Sequence, residues 1–463
     1  MKVTLIGAAG VRTPLLIHGL AEAAGQLPLE EIALYDIDQE RLRPIGRVAA
    51  AMARERGLTA RLVTARTAAE AVDGAEVVIS SIRVGGIEAR VQDEQIALAH
   101  HLVGQETVGA GGFACALRNL TAMLGYARLI EQRAPRATLI NFTNPVGIVS
   151  QGLLNHTGVR VLGVCDTPLE TFETIAHALE RDPFTLRFEY FGLNHLGWVR
   201  AIRTVEGTDL MPALLRSPER LRRCYRHALF PPEFLMELGL LPTEYLYFYY
   251  FPERARANTE RSGQSRGQLI AALNLGLFQT LALAPERELI AAYENYLRER
   301  NASYFSIEAS GGEARDDRPL YSQFSGYERI AILLLAGLYS DQVRMIPLTV
   351  RNLVDGGRAI GELAAEDAVE LPCDVSRAAV RPHAPGPIPA QALELLLQVK
   401  EYERATAAAA AGHDRHQARL ALERNPLVGV AAAAGVLADY ERAFGTQLGL
   451  QAAAPSESST RPL

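Results

Sequence analysis

The chain carries a cysteine and a histidine whose chemistry suits a metal ion. Cys165 and Asp166 end the apolar run VRVLGVCD, and Asn194 and His195 lie in the segment GLNHLGW. A thiolate and an imidazole can hold a divalent cation and leave positions open for the hydroxyl groups of a ligand. Two such residues do not make a metal motif, so a buried cysteine and a structural histidine remain the competing interpretation.

A second candidate is a glycine-bearing turn after the first apolar run, KVTLIG. The turn contains Gly7 and Gly10, and the next apolar run ends in Asp36. Glycine lets backbone amides approach a pyrophosphate at the start of a helix, and an acid after the second strand accepts the ribose hydroxyls of NAD. The same acid would repel the extra phosphate of NADP. The strict glycine motif is not matched, so an ordinary tight turn fits this segment equally well.

Three further segments carry groups that could bind or react. IRVGGIEARVQDEQ contains Arg83 and Arg90, whose guanidinium groups suit a phosphate or carboxylate, although such arginines commonly form surface ion pairs. In NFTNP, the amide of Asn144 can orient a sugar hydroxyl or cap its turn. Tyr245 lies in the tyrosine-rich run LPTEYLYFYYF, and a run of that kind is more often core than catalytic.

The elements around these residues alternate between apolar strands and amphipathic helices. This pattern predicts an α/β fold with a Rossmann-like doubly wound parallel sheet. The predicted strands are 2–7, 32–38, 75–82, 136–143 and 159–166. Ligands of such sheets bind beyond the carboxyl ends of the strands, where the glycine turn and most of the candidate side chains lie.

After about residue 190 the pattern changes to an extended segment followed by mainly helical ones. We therefore predict that residues 1–190 form an NAD-binding Rossmann-like domain. Residues 191–450 are predicted to form a mixed, mainly helical α+β domain for substrate, metal and oligomerisation. Residues 451–463, with the composition AAAPSESSTRPL at their end, are predicted to be a disordered tail.

Composition restricts the class of partner. With 47 basic and 53 acidic residues, the formal net charge of −6 offers no basic field for nucleic acid or an anionic membrane. No run of eighteen apolar residues or signal-peptide pattern is present, so we expect no membrane association. The four cysteines form no CxxC pair, which suits a reducing cytoplasm. We expect a cytoplasmic protein that binds a small molecule.

The order of segments resembles the NAD- and metal-dependent glycosidases of glycoside hydrolase family 4. The resemblance covers nearly the whole chain and rests on LYDID, IRVGGIEARVQDEQ, VGQETVGAGG, NFTNP, GVCDTP, GLNHLGW, LPTEYLYFYY, ELPCDV and ALERNPLV. The chain departs from the family at Ala8 and Ala9, where members often have glycine. An added methyl group on each leaves less room for the pyrophosphate of NAD.

The resemblance implies a role for each candidate residue. Cys165 and His195 would hold the metal, usually Mn²⁺, Tyr245 would be the base, and Asp166 would be the acid that assists the leaving group. The substrate-binding residues implied are Arg90, Asn144, Asn194 and Arg266. The family also forms dimers and tetramers, which implies a homodimer or homotetramer here.

The implied reaction is a net hydrolysis. NAD takes a hydride from C3 of the sugar, the base removes the C2 proton, elimination expels the aglycone, water adds at C1 and NADH returns the hydride. IRVGG with Arg90 resembles members acting on 6-phosphorylated glucosides. The form GVCDTP resembles one that also occurs among 6-phospho-β-glucosidases, so we expect that activity. Asp166 after the cysteine is the form found in 6-phospho-α-glucosidases, so that activity stays open. An NAD-dependent 2-hydroxy-acid dehydrogenase and a non-catalytic sugar-phosphate sensor are the alternatives from other classes.

Overall fold

One sheet of twelve strands organises the chain in the computed structural model, which describes residues 1–309 and 327–451. The strands are β1 Lys2–Ile6, β2 Glu31–Tyr35, β3 Arg61–Thr64, β4 Val77–Ser80, β5 Thr138–Asn141, β6 Arg160–Gly163, β7 Leu186–Leu193, β8 Leu196–Thr204, β9 Leu241–Pro242, β10 Arg344–Arg351, β11 Ala368–Val375 and β12 Val380–Pro382. Their order is β3-β2-β1-β4-β5-β6-β10-β11-β7-β8-β9, and β12 pairs with β11. The predicted tail lies outside the described residues apart from residue 451.

The first six strands form the parallel part of the sheet. Each of the pairs β3–β2, β2–β1, β1–β4, β4–β5 and β5–β6 is parallel. Every residue of β4 and β5 is buried, as expected for strands covered by helices on both faces. The order 3-2-1-4-5-6 is that of dinucleotide-binding folds, so the prediction of a Rossmann-like sheet is confirmed.

Helices cover this sheet and build the rest of the molecule. Those of the first part are α1 Thr13–Glu22, α2 Gln39–Glu55, α3 Ala68–Val72, α4 Gly86–Ala99, α5 Gly109–Arg133, α6 Val146–His156 and α7 Thr167–Ala178. Those that follow are α8 Met211–Leu215, α9 Pro218–Arg223, α10 Pro232–Leu238, α11 Tyr247–Tyr250, α12 Pro252–Ser262, α13 Arg266–Leu283, α14 Leu289–Ala302, α15 Tyr327–Leu338, α16 Ala390–Gly412, α17 Arg415–Arg424 and α18 Gly429–Phe444. No helix in the described ranges is both long and apolar enough to span a membrane.

The second part of the chain extends the same sheet with antiparallel strands. β10 pairs with β6 through Thr349 and Gly163 and runs antiparallel to β11 along its whole length. β11 then meets β7 through Glu370 and Gly192, and β7 forms a hairpin with β8. Two strands from late in the chain therefore separate β6 from β7. The domain boundary predicted after residue 190 falls inside β7, and the division into two domains stays a prediction.

Candidate active site

A cavity of about 700 Å³ opens beyond the carboxyl ends of the parallel strands. Side chains from both parts of the chain line it. The predicted site residues that reach it are Gly7, Gly10, Asp36, Arg90, Asn144, Cys165, Asp166, His195, Tyr245 and Arg266. The fold thus brings into one cavity residues that lie up to 259 positions apart in sequence, from Gly7 to Arg266.

The glycine turn packs tightly against the neighbouring strand end. Gly7 has φ +90°, and a Cβ there would lie 2.3 Å from the carbonyl oxygen of Ser81, so only glycine fits. Ala8 and Ala9 are both buried in the core, and of the two only Ala9 lines the cavity. Of the two predicted departures from glycine, only the methyl group of Ala9 therefore borders the space that a pyrophosphate needs.

Asp36 closes the turn from the end of β2. Its carboxylate accepts hydrogen bonds from the amides of Ala9 at 2.9 Å and Asp38 at 3.0 Å. Burial raises the pKa of this carboxyl, although the two amides oppose the shift. The adjacent Ile37 also lines the cavity and leaves 79% of its surface exposed, which offers an apolar face to a planar base. The sequence analysis did not single out Ile37.

Cys165 follows β6 and precedes the first turn of α7. Its Sγ lies 3.4 Å from the hydroxyl of Thr167. Burial raises the pKa of this thiol well above its usual value, and the charge of Asp166 adds to the shift. A cation at the sulfur would reverse this balance because metal coordination deprotonates a thiol.

His195 lies in the turn between β7 and β8, with φ +62°. Its Nδ1 is buried and has no hydrogen-bond partner among the described residues. Burial lowers the pKa of this imidazole to about 4, so the ring is neutral at pH 7. A neutral ring with a buried, unpartnered nitrogen is in the form that binds metals.

These two side chains fit a cation that has few protein ligands. Among the described residues, no group of three or more histidine, cysteine or acidic side chains is arranged to hold a metal. Cys165 and His195 would therefore supply two ligands and leave the other positions to substrate or water. The orphaned nitrogen of His195 is the observation that supports this fit.

Tyr245 lies in a short 3₁₀ turn, Glu244–Leu246, that follows β9. Its ring stacks on the imidazole of His195, with centroids 3.8 Å apart and planes 9° apart. Burial raises the pKa of the phenol, as do the charges of Glu106 and Cys165, whereas a hydrogen bond with Tyr304 opposes the shift. The predicted role as base requires a nearby positive charge, because the protein alone keeps this phenol protonated.

Asp166 occupies the N-cap position of α7 and lines the cavity. Its Oδ2 lies 3.4 Å from a guanidinium nitrogen of Arg12. Asp166 thus lies at the cavity beside a guanidinium group, and its role as the acid stays a prediction.

The far side of the cavity carries a cluster of arginines and acids. Arg90 is buried, and its guanidinium lies 2.8 Å from Glu94 and 2.9 Å from Glu106. Arg83 also pairs with Glu106. Burial favours the neutral form of Glu106, but Arg83 and Arg90 outweigh it and lower its pKa to about 2. The acids therefore fix the arginines in place and cancel part of their charge.

Arg266 and Arg300 are not part of this network of ion pairs among the described residues. Arg266, the first residue of α13, donates to the carbonyl oxygens of Ser303 and Arg300. Neither guanidinium lies within ion-pair distance of a carboxylate in the described ranges. Burial and the charge of Arg300 lower the pKa of Arg266 to about 10. The sequence analysis did not find Arg300, because its segment YLRER looks like any charged helix.

Asn144 and Asn194 occupy different positions relative to the cavity. Asn144 lines it with a buried Oδ1 that has no hydrogen-bond partner among the described residues, as a sugar-binding amide should. Asn194 lies behind the wall, where its amide bonds to Gly147 and Glu370 at 3.3 Å each. Direct contact between Asn194 and a substrate stays a prediction, and both ends of this amide are engaged by residues that do not line the cavity.

Comparison with known proteins places the chain in a family. The model described as "Family 4 glycosyl hydrolase" matches residues 2–181, and that of the family's C-terminal domain matches residues 190–428. The chain belongs to glycosyl hydrolase family 4. The predicted family is therefore confirmed, and the two models together account for both walls of the cavity.

Relatives named as 6-phospho-glucosidases resemble the whole chain or about half of it. The probable 6-phospho-β-glucosidase of Bacillus subtilis is 28% identical over 444 residues, which are 92% of each chain. The 6-phospho-α-glucosidase 1 of Lacticaseibacillus paracasei is 34% identical over 217 residues, which are 46% of this chain and 49% of that protein. The structure of the 6-phospho-β-glucosidase of Thermotoga maritima with manganese, NAD⁺ and glucose-6-phosphate is 26% identical, with a TM-score of 0.80, and covers 97% of this chain and 100% of that one.

Proposed function

We propose that this family 4 enzyme hydrolyses 6-phospho-β-glucosides to glucose 6-phosphate and an aglycone, with NAD and a divalent cation such as Mn²⁺. One cavity joins a dinucleotide turn, a buried cysteine–histidine pair and a cluster of arginines. That juxtaposition is the observation that carries the proposal. A 2-hydroxy-acid dehydrogenase would need only the dinucleotide turn. It would not explain why residues 190–428 match the model of the family's C-terminal domain.

The arginines would select the phosphate group. Arg90, Arg266 and Arg300 line the same side of the cavity, with only part of their charge cancelled by acids. A phosphate dianion supplies the missing negative charge, and guanidinium groups bind it through paired hydrogen bonds. Arg266 gains most, because an anion would relieve the repulsion from Arg300 that lowers its pKa.

NAD would bind along the ends of β1 and β2. Asp36 would accept the ribose hydroxyls, and Gly7 and Gly10 would let the turn approach the pyrophosphate. Ile37 would cover one face of the adenine with its exposed side chain. An acid in this position disfavours NADP, because its extra phosphate would lie beside a carboxylate.

Cys165 and His195 would hold the cation. When bound, the cofactor and the cation supply hydride transfer at C3 and polarisation of the resulting carbonyl group. Tyr245 lines the cavity with its ring against the proposed metal ligand His195, and it would take the proton from C2. Asn144 would orient a sugar hydroxyl with its unpartnered oxygen, and Asp166 would exchange a proton with the departing oxygen.

A 6-phospho-α-glucosidase is the second candidate. Asp166 follows the metal cysteine in this chain, which is the form the resemblance associates with α-glucosidases. The 34% identity to the Lacticaseibacillus protein, over 46% of this chain, also favours it. Elimination after C2 deprotonation accepts either anomer, so the same residues would serve both activities.

One assay separates these proposals. The α- and β-anomers of p-nitrophenyl 6-phosphoglucoside and their unphosphorylated forms would be supplied in turn, each with and without NAD and Mn²⁺. We expect release of nitrophenol from the phosphorylated β-anomer only when both NAD and Mn²⁺ are present. Faster cleavage of the α-anomer would select the second candidate. Equal cleavage of unphosphorylated substrates would remove the phosphate subsite from the proposal.

We also propose a homodimer or homotetramer in the cytoplasm. The four cysteines are all free and buried, which fits a reducing compartment. Light scattering coupled to size-exclusion chromatography measures the oligomer directly, and a monomeric mass at micromolar concentration would contradict the proposal.

A further inference from the structure

The turn that carries His195 is short and conformationally demanding. β7 ends at Leu193 and β8 begins at Leu196, so only Asn194 and His195 connect them. His195 adopts φ +62°, a left-handed conformation that residues with a Cβ adopt far less readily than glycine. Such a conformation persists only where the surroundings hold it. The direction of the imidazole therefore depends on whatever anchors this turn.

Asn194 is that anchor. Its Oδ1 accepts a hydrogen bond from the amide of Gly147, in the first turn of α6, at 3.3 Å. Its Nδ2 donates to Oε1 of Glu370 on β11, also at 3.3 Å. The side chain is 6% exposed, so water does not compete for either bond. Asn194 thus joins the hairpin to a helix of the parallel part and to a strand of the antiparallel part.

Glu370 is the centre on which these bonds converge. It is 1% exposed and lies opposite Gly192 in the sheet, next to the hairpin. Besides Asn194, it accepts hydrogen bonds from the hydroxyls of Tyr190 at 2.6 Å and Thr349 at 3.5 Å. Three donors meet one carboxylate, so every bond has the acceptor it needs. An amide in its place has one acceptor oxygen instead of two, so at least one of these three bonds loses its acceptor.

Glu370 itself does not line the cavity. We propose that Glu370 is a positioning residue which, through Asn194, holds the imidazole of His195 in the orientation that binds a divalent cation. The proposal rests on the metal role of His195 in the proposed function. Groups that orient a metal ligand from behind commonly change metal affinity when they are removed, because the ligand then samples other orientations.

The test measures the affinity of the full-length protein for Mn²⁺. Calorimetry and the electron paramagnetic resonance signal of free Mn²⁺ each report this affinity. The variants are Glu370→Gln, Asn194→Ala and the double variant. Glu370→Gln should weaken Mn²⁺ binding about tenfold or more. In the Asn194→Ala background the same change should have little further effect, because the route from Glu370 to His195 is already broken.

Asp367→Asn is the matched control. Asp367 is a buried acid near the start of β11 that pairs with Arg404 and does not contact the hairpin. Its loss should lower the melting temperature without changing Mn²⁺ affinity. Tyr190→Phe removes one donor and keeps the carboxylate, so it provides a milder variant if Glu370→Gln does not fold. It should weaken Mn²⁺ binding by a smaller factor.

Two results would overturn the positioning role. One is an unchanged Mn²⁺ affinity in folded Glu370→Gln. The other is a loss of Mn²⁺ affinity on Glu370→Gln that is equally large in the Asn194→Ala background. Failure of the wild-type protein to bind Mn²⁺ would instead overturn the metal site of the proposed function. The wild-type titration and the variant comparison therefore distinguish the two failures.

Discussion

The two ends of the cavity are built on different principles. At one end, Cys165 and His195 are single side chains set on strand ends and a tight turn, with burial disfavouring charge on both. At the other end, Arg83 and Arg90 share Glu106, and Arg266 and Arg300 add further positive charge to the same cavity, so charge is distributed over several groups. Substitution of a residue at the first end should therefore abolish nearly all activity. Substitution of one at the second end should reduce activity only in part.

The sharpest test of this contrast is Cys165→Ser. Serine keeps the small volume and the hydroxyl contact to Thr167 but is a poor ligand, so Mn²⁺ binding should be lost. A cation supplies several kcal/mol of stabilisation, and turnover should fall by at least about 10³-fold. Cys224→Ser, at a buried cysteine outside the cavity, is the control and should keep its Mn²⁺ dependence. Unchanged Mn²⁺ dependence in Cys165→Ser would remove this cysteine from the site.

Tyr245→Phe should have the next largest effect. It removes the group proposed to take the C2 proton, and loss of a general base costs about 10²- to 10⁴-fold in rate. Exchange of solvent deuterium into C2 should disappear, whereas Mn²⁺ and NAD should still bind. Tyr249→Phe, in the same run but outside the cavity, is the matched control. Retained deuterium uptake in Tyr245→Phe would assign the base to another residue.

Arg300→Gln tests the graded end. Loss of one charged hydrogen bond to a phosphate should raise KM for phosphorylated substrates about 10- to 100-fold, because Arg90 and Arg266 remain. kcat should change much less. Arg298→Gln, on the same helix, alters an exposed pair with Glu294 and should leave KM unchanged. An equal loss for phosphorylated and unphosphorylated substrates would show that Arg300 does not bind the phosphate.

The smallest effect is expected at Asp36. Asp36→Asn keeps the shape and can still accept from Ala9, but it loses the charge that distinguishes NAD from NADP. The Kd for NAD should rise about tenfold, and the ratio of the affinity for NAD to that for NADP should fall. Glu40→Gln, an exposed acid in the first turn of α2, is the control. An unchanged ratio of NAD to NADP affinity would place the ribose elsewhere.

The sequence was most informative where local pattern decides structure. Strands β1, β2, β4, β5 and β6 coincide with apolar runs, and Asp36, Asn144 and Cys165 follow three of them. The core of the parallel sheet and this part of the site could therefore be predicted. The long helices α13 and α16 likewise belong to the part of the chain whose pattern predicts mainly helical segments. Periodicity of apolar residues indicates which face of an element is buried, and this information was enough to predict these elements.

The remainder depends on contacts between distant segments. Arg300 reaches the cavity only because α14 packs beside α13, and nothing in its helix distinguishes it from Arg298. The resemblance implies a substrate role for Asn194, but no local pattern indicates that its amide bonds to Gly147 and Glu370, which are distant in sequence. The insertion of β10 and β11 between β6 and β7 has no local pattern, because sheet order is set by packing of the whole chain.

That insertion has a consequence for biosynthesis. Cys165 and His195 leave the ribosome before β10 and β11 are made. These two strands lie between the parallel sheet, which carries Cys165, and the hairpin, which carries His195, and the second of them ends only at Val375. A nascent chain that stops short of this point holds both ligand side chains without the partners that align them. Competence to capture a cation is therefore acquired late, after most of the polypeptide has been translated.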